Sequence, residues 1–332
     1  MNKKPSLQVS VVIPAYNIEA YIGRAIESVL TQTREADEII VVDDGSTDNT
    51  AAEIKKFGDK VRYIRQENGG AGAGRNRGIR EAKFEWIGFL DGDDEWHKLY
   101  LQRQIELLER NPGLMWSCTN TIYCLCGDKR CGPALKPQKA RKLVGGKDYF
   151  DNYFFSQRHR AGHNINTMMI KREVFDKVGF FPEGQVVSED TDMWWRIAYQ
   201  WPRIGYVPEP LAVYHQRTKR NITQSFKQQV LRIHIDLLEK HLGLARENNQ
   251  QLEFKKLAGQ LVTYWIRSLL FDNNQQGINE LLQRFGYLVR PSFKTLVRVL
   301  RVCPGATAAG CHVISRIVRK LRLRRRIVPP PQ

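Results

Sequence analysis

A doubly wound, mostly parallel α/β sheet with flanking helices, followed by a helical region, is the architecture this sequence predicts. Three observations carry the prediction. Four short and almost wholly apolar runs recur within the first 90 residues, each of a length suited to a strand buried on both faces. Between them lie segments with apolar residues at helical spacing. From Ser225 to about Tyr287 the helical spacing becomes continuous.

Val9 to Ile13 (VSVVI) is the first apolar run and stops at Pro14. Ile18, Ile22, Ile26, Val29 and Leu30 then place apolar groups along one helix over 18–31. Glu38 to Val42 (EIIVV) is the second strand, and Asp48 or Asn49 can cap a helix over 49–57. Val61 to Ile64 is the third strand. Gly69 to Gly74 forms a glycine-rich loop that opens a helix reaching Ala82. Trp86 to Leu90 (WIGFL) is the fourth strand and halts at Asp91. Strands alternating with helices imply parallel pairing.

Residues 98–110 read as a helix, 114–150 as a hairpin or loop with a Gly/Pro/Lys-rich middle, and Asn166 to Ile170 as a strand. Asp190 to Gln200 reads as a helix capped by Ser188, and 211–214 as a further strand. The expected organisation is a domain over 1–225, a helical extension over 226–290 and a basic tail over 291–332.

The 332 residues are 42% hydrophobic, enough for a sizeable core, and carry a formal charge of +17. Of the 52 Lys and Arg, 12 lie between Leu281 and Gln332, where there is no acid; the other 40 face 35 acidic groups. The excess is therefore a property of the tail, and it points to an anionic partner. No 18-residue apolar run and no signal-peptide pattern are evident, so the expected location is cytoplasmic, with no transmembrane helix. Six cysteines are too few for a disulfide scaffold, and reduced thiols are expected. Cys118, Cys124, Cys126 and Cys131 cluster, but without the paired spacing of a zinc site.

Ligands of open parallel sheets bind at the carboxyl ends of strands. Here the first strand ends in Pro14-Ala15-Tyr16-Asn17, the second in Asp43-Asp44-Gly45-Ser46 and the fourth in Asp91-Gly92-Asp93-Asp94. Five carboxylates on one rim repel each other unless a cation and donor groups relieve them. Mg²⁺ or Mn²⁺ takes oxygen ligands and bridges carboxylates to phosphates. Asp91 and Asp93, two apart in an extended segment, can face one diphosphate. Asp-Gly is also an ordinary turn former; two acidic clusters at matching strand ends favour the ligand site. A dinucleotide-dependent oxidoreductase is disfavoured, because Arg77 stands where the last glycine of that fingerprint belongs.

The segments VSVVIPAYN, EIIVVDDGSTDNT, ENGGAGAGRNRGI and WIGFLDGDDEW occur in the order and spacing of family 2 glycosyltransferases. The chain resembles that family over residues 7–220, most closely over 9–96. The resemblance implies the GT-A fold, an inverting mechanism and a nucleotide-sugar donor, UDP by family habit. It places Asp44 at the nucleotide base, with Tyr16, Pro14 and Ala15 lining its pocket. It assigns Asp93 to the metal, Mn²⁺ or Mg²⁺, and Asp91 to the ribose or metal shell. Arg75 and Asn76 are expected at the donor. Ser188 to Arg196 looks like the family's Glu-Asp motif. Asp190 is the expected base, Glu189 and Trp194 are expected on the acceptor side, and Arg196 is expected to pair with the acids. Trp194 and Trp195 could stack on a sugar, although at least one is expected in the core. His215 and Arg217 are expected near the diphosphate, and His163 near the acceptor.

The expected acceptor is a saccharide or lipid-linked molecule of surface polysaccharide or glycolipid synthesis. A basic amphipathic run over 293–301 and a denser one from Arg316 to Arg326 suit an anionic membrane surface, peripherally on the inner face of the cell membrane. Nucleic acid is not an expected partner, since the tail lacks interleaved aromatics. The alternative to an enzyme is an inactive nucleotide-sugar-binding or membrane-scaffolding relative.

Overall fold

Val9, Val11, Val12 and Ile13 have no exposed surface, and the segment Val9–Ala15 forms β1 at the centre of a parallel group of strands. In this computed structural model, which describes residues 7–125, 130–162, 164–216 and 227–302, the group runs β3-β2-β1-β4, with β2 at Glu38–Asp43, β3 at Arg62–Arg65 and β4 at Trp86–Phe89. The crossovers are α1 (Ile22–Leu30), α2 (Thr50–Lys55) and α3 (Gly70–Glu81). Asp48 accepts from the Thr50 amide at 2.9 Å and so serves the start of α2. Alternation along β1 sends Val11 and Ile13 into one core with Ile22, Ile26 and Val29 of α1. Val12 points to the opposite face, where α3 lies so close that a Cβ on Gly78 would stand 2.2 Å from Val12 Cγ1. Glycine at 78 is the condition for that approach.

Beyond β4 the sheet is mixed. β9 (Met168–Lys171) runs antiparallel to β4 and to β6 (Trp116–Leu125). β10 (Ile204–Gln216) runs parallel to β6. Short β5 (Glu95–Trp96) and β8 (Tyr149–Phe150) lie antiparallel to β10, and β7 (Arg130–Pro133) closes a hairpin on β6. The expected strand at 211–214 is thus the end of a 13-residue strand. Its start is hidden in the sequence by Pro208 and Pro210, which read as breakers; the pairing register shifts on both sides of Pro210. The helices here are α4 (Tyr100–Arg110), α5 (Pro137–Val144), α6 (Tyr153–Arg158), α7 (Glu173–Val178) and α8 (Glu189–Gln200).

The expectation of reduced thiols is corrected at two positions. Cys124 of β6 and Cys131 of β7 are cross-strand partners and form a disulfide, with Cα atoms 4.2 Å apart. Hairpin pairing brings them opposite one another, a placement that spacing alone does not reveal. Cys118 is a free, buried thiol; Cys126, Cys303 and Cys311 lie outside the described residues.

The chain divides into two compact units, residues 1–233 and 234–332. The division falls within α9 (Lys227–Glu247). In the second unit, α10 (Gln251–Phe271) buries Phe254, Leu257, Ala258, Val262 and Ile266, and Trp265 stacks on His234 with ring centroids 5.0 Å apart. Desolvation in this stack lowers the His234 pKa to about 4, so the ring is neutral at physiological pH. α11 (Gln275–Phe285) is capped by Asn274, which accepts from the Gly277 amide at 2.8 Å. α12 (Pro291–Val302) makes the start of the expected basic tail a helix. Arg316 to Arg326 lie outside the described residues. Among the described residues, no helix is long and apolar enough to cross a membrane.

Candidate active site

The site is assembled at the carboxyl ends of β1, β2 and β4. After β1, the Tyr16 ring is half exposed. Asn17, at φ 50°, turns the chain and binds the loop after β2: its amide donates to Ser46 Oγ at 3.1 Å, and its side-chain oxygen accepts from the Thr47 amide at 2.8 Å. The two aspartates after β2 face different partners. Asp43 accepts from the Ser46 amide (2.8 Å), Tyr63 Oη (2.8 Å) and Arg65 (3.2 Å), which closes the turn. Asp44 accepts from Gln66 Nε2 at 2.7 Å and from the Gly69 and Gly70 amides at 3.0 and 2.8 Å. These two amides belong to the start of α3, where a carboxylate is favoured. Gly45, at φ +79°, allows the turn and sits where a Cβ would be 3.0 Å from the Asn68 nitrogen.

After β4, the acidic turn is held from outside. The Asp91 amide donates to Asn166 Oδ1 at 2.6 Å, and Asn166 Nδ2 donates to Asp94 Oδ2. Asp94 Oδ1 accepts from the His215 amide at 2.7 Å. Asp94 is buried, and burial first, then the nearby Asp93 and Asp91 charges, push its carboxyl well above the usual range. Its two oxygens are spent on the protein. Asp93 accepts at its carbonyl from Arg24 at 2.8 Å and, like Asp91, is partly exposed. Asn166 and Arg24 escaped the sequence reading because neither stands in a local pattern. Their partners are 75 and 69 residues away.

The third group comes from α3 and α8. Arg75, 4% exposed, donates from Nη2 to Asp91 Oδ1 at 2.8 Å and from Nη1 to Glu189 Oε1 at 2.7 Å. The two carboxylates hold its pKa above the ordinary arginine value despite burial. Asn76 is buried and holds the 181–183 segment: it donates to the Phe181 carbonyl and to Glu183, each at 2.9 Å, and accepts from the Phe181 amide at 2.9 Å. Asp190 opens α8. Its Oδ1 accepts from the amide and hydroxyl of Thr191, while among the described residues none donates to Oδ2. Burial raises the Asp190 pKa well above the carboxylate range, and the Glu189 charge raises it further; Arg75 and the Thr191 bonds act the other way.

Several neighbours differ from expectation. Ser188 occupies the N-cap position, but at φ 63° it makes no side-chain cap bond to α8; its backbone carbonyl accepts from the Asp192 amide instead. Arg196 pairs with Asp192 at 2.6 Å and with the Val178 and Phe180 carbonyls, and not with Glu189 or Asp190, because one helical turn separates it from Asp192. Trp194 and Trp195 are both enclosed: Trp194 packs on Trp116 and edge-on to Phe181, and Trp195 Nε1 donates to Gln157 at 2.8 Å. Trp194 thus has no open face for a sugar. His215 offers its backbone to Asp94 and places Nε2 2.9 Å from Glu95 Oε1. Arg217 and His163 lie outside the described residues.

Among the described residues, no three His, Cys, Asp or Glu side chains converge as a cage for a metal. Asp91 and Asp93 are two hard oxygen donors on an accessible turn. That set suits a cation such as Mg²⁺, which keeps several waters and completes its shell with substrate phosphates.

A parallel β3-β2-β1-β4 group with acidic turns at its strand ends, extended by a mixed half and followed by helices, is a GT-A-like architecture. The chain belongs to glycosyl transferase family 2, whose model matches residues 10–179. It is 32% identical over 198 residues to Uncharacterized glycosyltransferase RP339 of Rickettsia prowazekii (strain Madrid E), covering 57% of this chain and 58% of that protein. The match therefore spans less than two thirds of that relative's own length. Putative glycosyltransferase EpsH of Bacillus subtilis (strain 168) is 29% identical over 258 residues, covering 75% of this chain and 72% of that protein. In fold, the chain is similar to S. aureus TarS 1–349, crystallised in complex with UDP-GlcNAc, with a TM-score of 0.65 at 17% identity over 91% of this chain and 88% of that one.

Proposed function

We propose that this protein is an active inverting glycosyltransferase that moves a sugar from a nucleotide-sugar donor to the hydroxyl of a saccharide or lipid-linked acceptor. One observation carries the reading: a single guanidinium, Arg75, touches both Asp91 of the strand-end turn and Glu189, the neighbour of Asp190. The acidic turn and the acidic helix start, about 100 residues apart in the sequence, therefore border one site.

In this reading the Tyr16 ring, Pro14 and Ala15 border the nucleotide base. Asp44 accepts a ring N–H through lone pairs that its bonds to Gln66, Gly69 and Gly70 leave over. Asp93, with Asp91 beside it, holds Mn²⁺ or Mg²⁺, whose chemistry there is to neutralise charge on the diphosphate. Asp190 Oδ2 takes the proton from the acceptor hydroxyl as its oxygen attacks the anomeric carbon opposite the departing diphosphate. The raised pKa of Asp190 suits that role, since it makes the carboxylate a stronger base than an exposed one. A UDP-sugar is the favoured donor because the similar TarS fold was crystallised with UDP-GlcNAc.

A panel of UDP-, GDP- and dTDP-sugars screened for metal-dependent hydrolysis or transfer tests this reading. One of them is expected to turn over with Mn²⁺ or Mg²⁺, and Asp93→Ala is expected to lose the metal-dependent binding of its nucleotide. No binding to any member of the panel with metal would end the donor-site assignment.

The basic tail supports peripheral attachment to an anionic membrane, to which each Lys or Arg contributes on the order of 1 kcal/mol. In flotation with phosphatidylglycerol-containing vesicles, the full chain is expected to float. Gln replacement of the seven basic residues from Arg316 to Arg326 is expected to release it, and equal flotation of both would sink the membrane claim.

A further inference from the structure

We infer that Arg75 is a positioning residue that couples the donor-side turn after β4 to the acceptor-side start of α8, so that nucleotide binding at Asp91 and Asp93 is felt at Glu189. This rests on the donor and acceptor assignments proposed above and adds a communication between them.

The helix that carries Arg75 is pinned at both faces. Gly78 is in contact with Val12 of β1, and at Gly74 a Cβ would stand 3.3 Å from Pro14 Cβ. On its other side α3 supports the segment leading to α8. Asn76 makes its three bonds to Phe181 and Glu183, and a Cβ on Gly72 would stand 2.7 Å from the Pro182 carbonyl oxygen. A pinned helix presents the guanidinium from a fixed base. The Phe181 ring lies 5.7 Å from the guanidinium carbon and covers it. Its two Nη atoms go to different carboxylates, while buried Nε has no partner among the described residues.

A planar fork with one carboxylate on each tine sets the spacing between the acids in a way a lysine ammonium cannot. The trio holds one positive and two negative groups, and only Asp91 is substantially open to solvent, its side chain 24% exposed against 13% for Glu189 and 5% for Arg75. When a cation and a diphosphate draw on the Asp91 carboxylate, the fork loses part of one partner and its bond to Glu189 tightens. Linkage makes the effect reciprocal: a change at Glu189 must alter the affinity for nucleotide. A purely structural arginine would stabilise the fold without that dependence.

A double-mutant cycle on the full chain tests the bridge, with UDP plus Mn²⁺ as the probe and calorimetry as the readout; GDP and dTDP with Mn²⁺ stand in if UDP does not bind. Glu189→Gln is expected to change nucleotide affinity by about threefold or more in the wild-type background, and to have no effect in Arg75→Gln. Arg75→Lys, which keeps the charge and loses the fork, is expected to behave as Arg75→Gln does. Hydrogen exchange on the unmutated chain provides a second measurement that does not depend on the variants folding. Addition of the nucleotide and Mn²⁺ is expected to slow exchange of amides within 189–195. An unchanged affinity in Glu189→Gln, the same change in both backgrounds, or no altered exchange in 189–195 would overturn the bridge while leaving the donor site standing. Failure of the wild-type chain to bind any of the three nucleotides with metal would overturn both.

Discussion

Asp94 and Asp190 make an instructive pair. Each is buried, each closes an acidic cluster or motif, and each has its carboxyl pushed upward by burial and by an acidic neighbour. They differ in how their oxygens are used. Asp94 gives one oxygen to Asn166 and the other to the His215 amide, and so ties the turn after β4 to the 3-10 turn before β9 and to β10. Asp190 gives one oxygen to Thr191, and among the described residues none donates to the other. A perturbed carboxylate is therefore not by itself a reactive one; a site needs an oxygen that the fold has not consumed.

The sharpest way to break this contrast is to remove both charges separately without changing shape. Asp190→Asn is expected to lower transfer by roughly 10²–10⁴-fold while nucleotide binding and thermal stability hold, as loss of a general base does. Asp94→Asn is expected to retain far more activity. Comparable losses in the two variants, measured as initial rates with the donor identified by the screen, would erase the distinction.

Asn166→Ala probes the structural side. It leaves the Asp91 amide and one Asp94 oxygen without their partner, and a loss of about 1–3 kcal/mol in denaturant unfolding is expected. Nucleotide affinity should fall with it, because the turn that presents Asp91 and Asp93 is no longer held. An unfolding midpoint equal to wild type would show that the amide is dispensable.

The smallest expected effect concerns pH. Transfer should be lost as pH falls through the pKa of Asp190, at a value above the ordinary carboxylate pKa of about 4. Glu189→Gln removes a negative neighbour that raises that pKa, so the acid limb should move to lower pH. Movement to higher pH in Glu189→Gln would mean that the charge reaching Asp190 is not the one assigned.

What the sequence revealed follows the range of the interactions. β1, β2 and β4 are legible because burial on both faces forces continuous apolar runs, and Asp44, Asp91 and Asp93 are legible because they directly follow those runs. The antiparallel insertion of β9 between β4 and β6 is not, since the pairing of Met169 with Gly88 and with Ser117 leaves no local trace. Distance in sequence likewise hides the bridge of Arg75 to Glu189, 114 residues apart, and the enclosure of Trp194 by Trp116 and Phe181. The Cys124–Cys131 bond is hidden for a different reason: cysteine spacing does not determine connectivity until the hairpin register is known.

The hold of Asn166 on both ends of the acidic turn also bears on how portable that turn is. Four consecutive residues look like a self-contained cassette, yet their shape is set by a side-chain amide that arrives from the 3-10 turn before β9, 75 positions downstream. Grafting Asp91 to Asp94 onto another strand end would carry the charges without the fastening. A transplant that works would need Asn166, or a surrogate donor–acceptor pair at the same place, to travel with it.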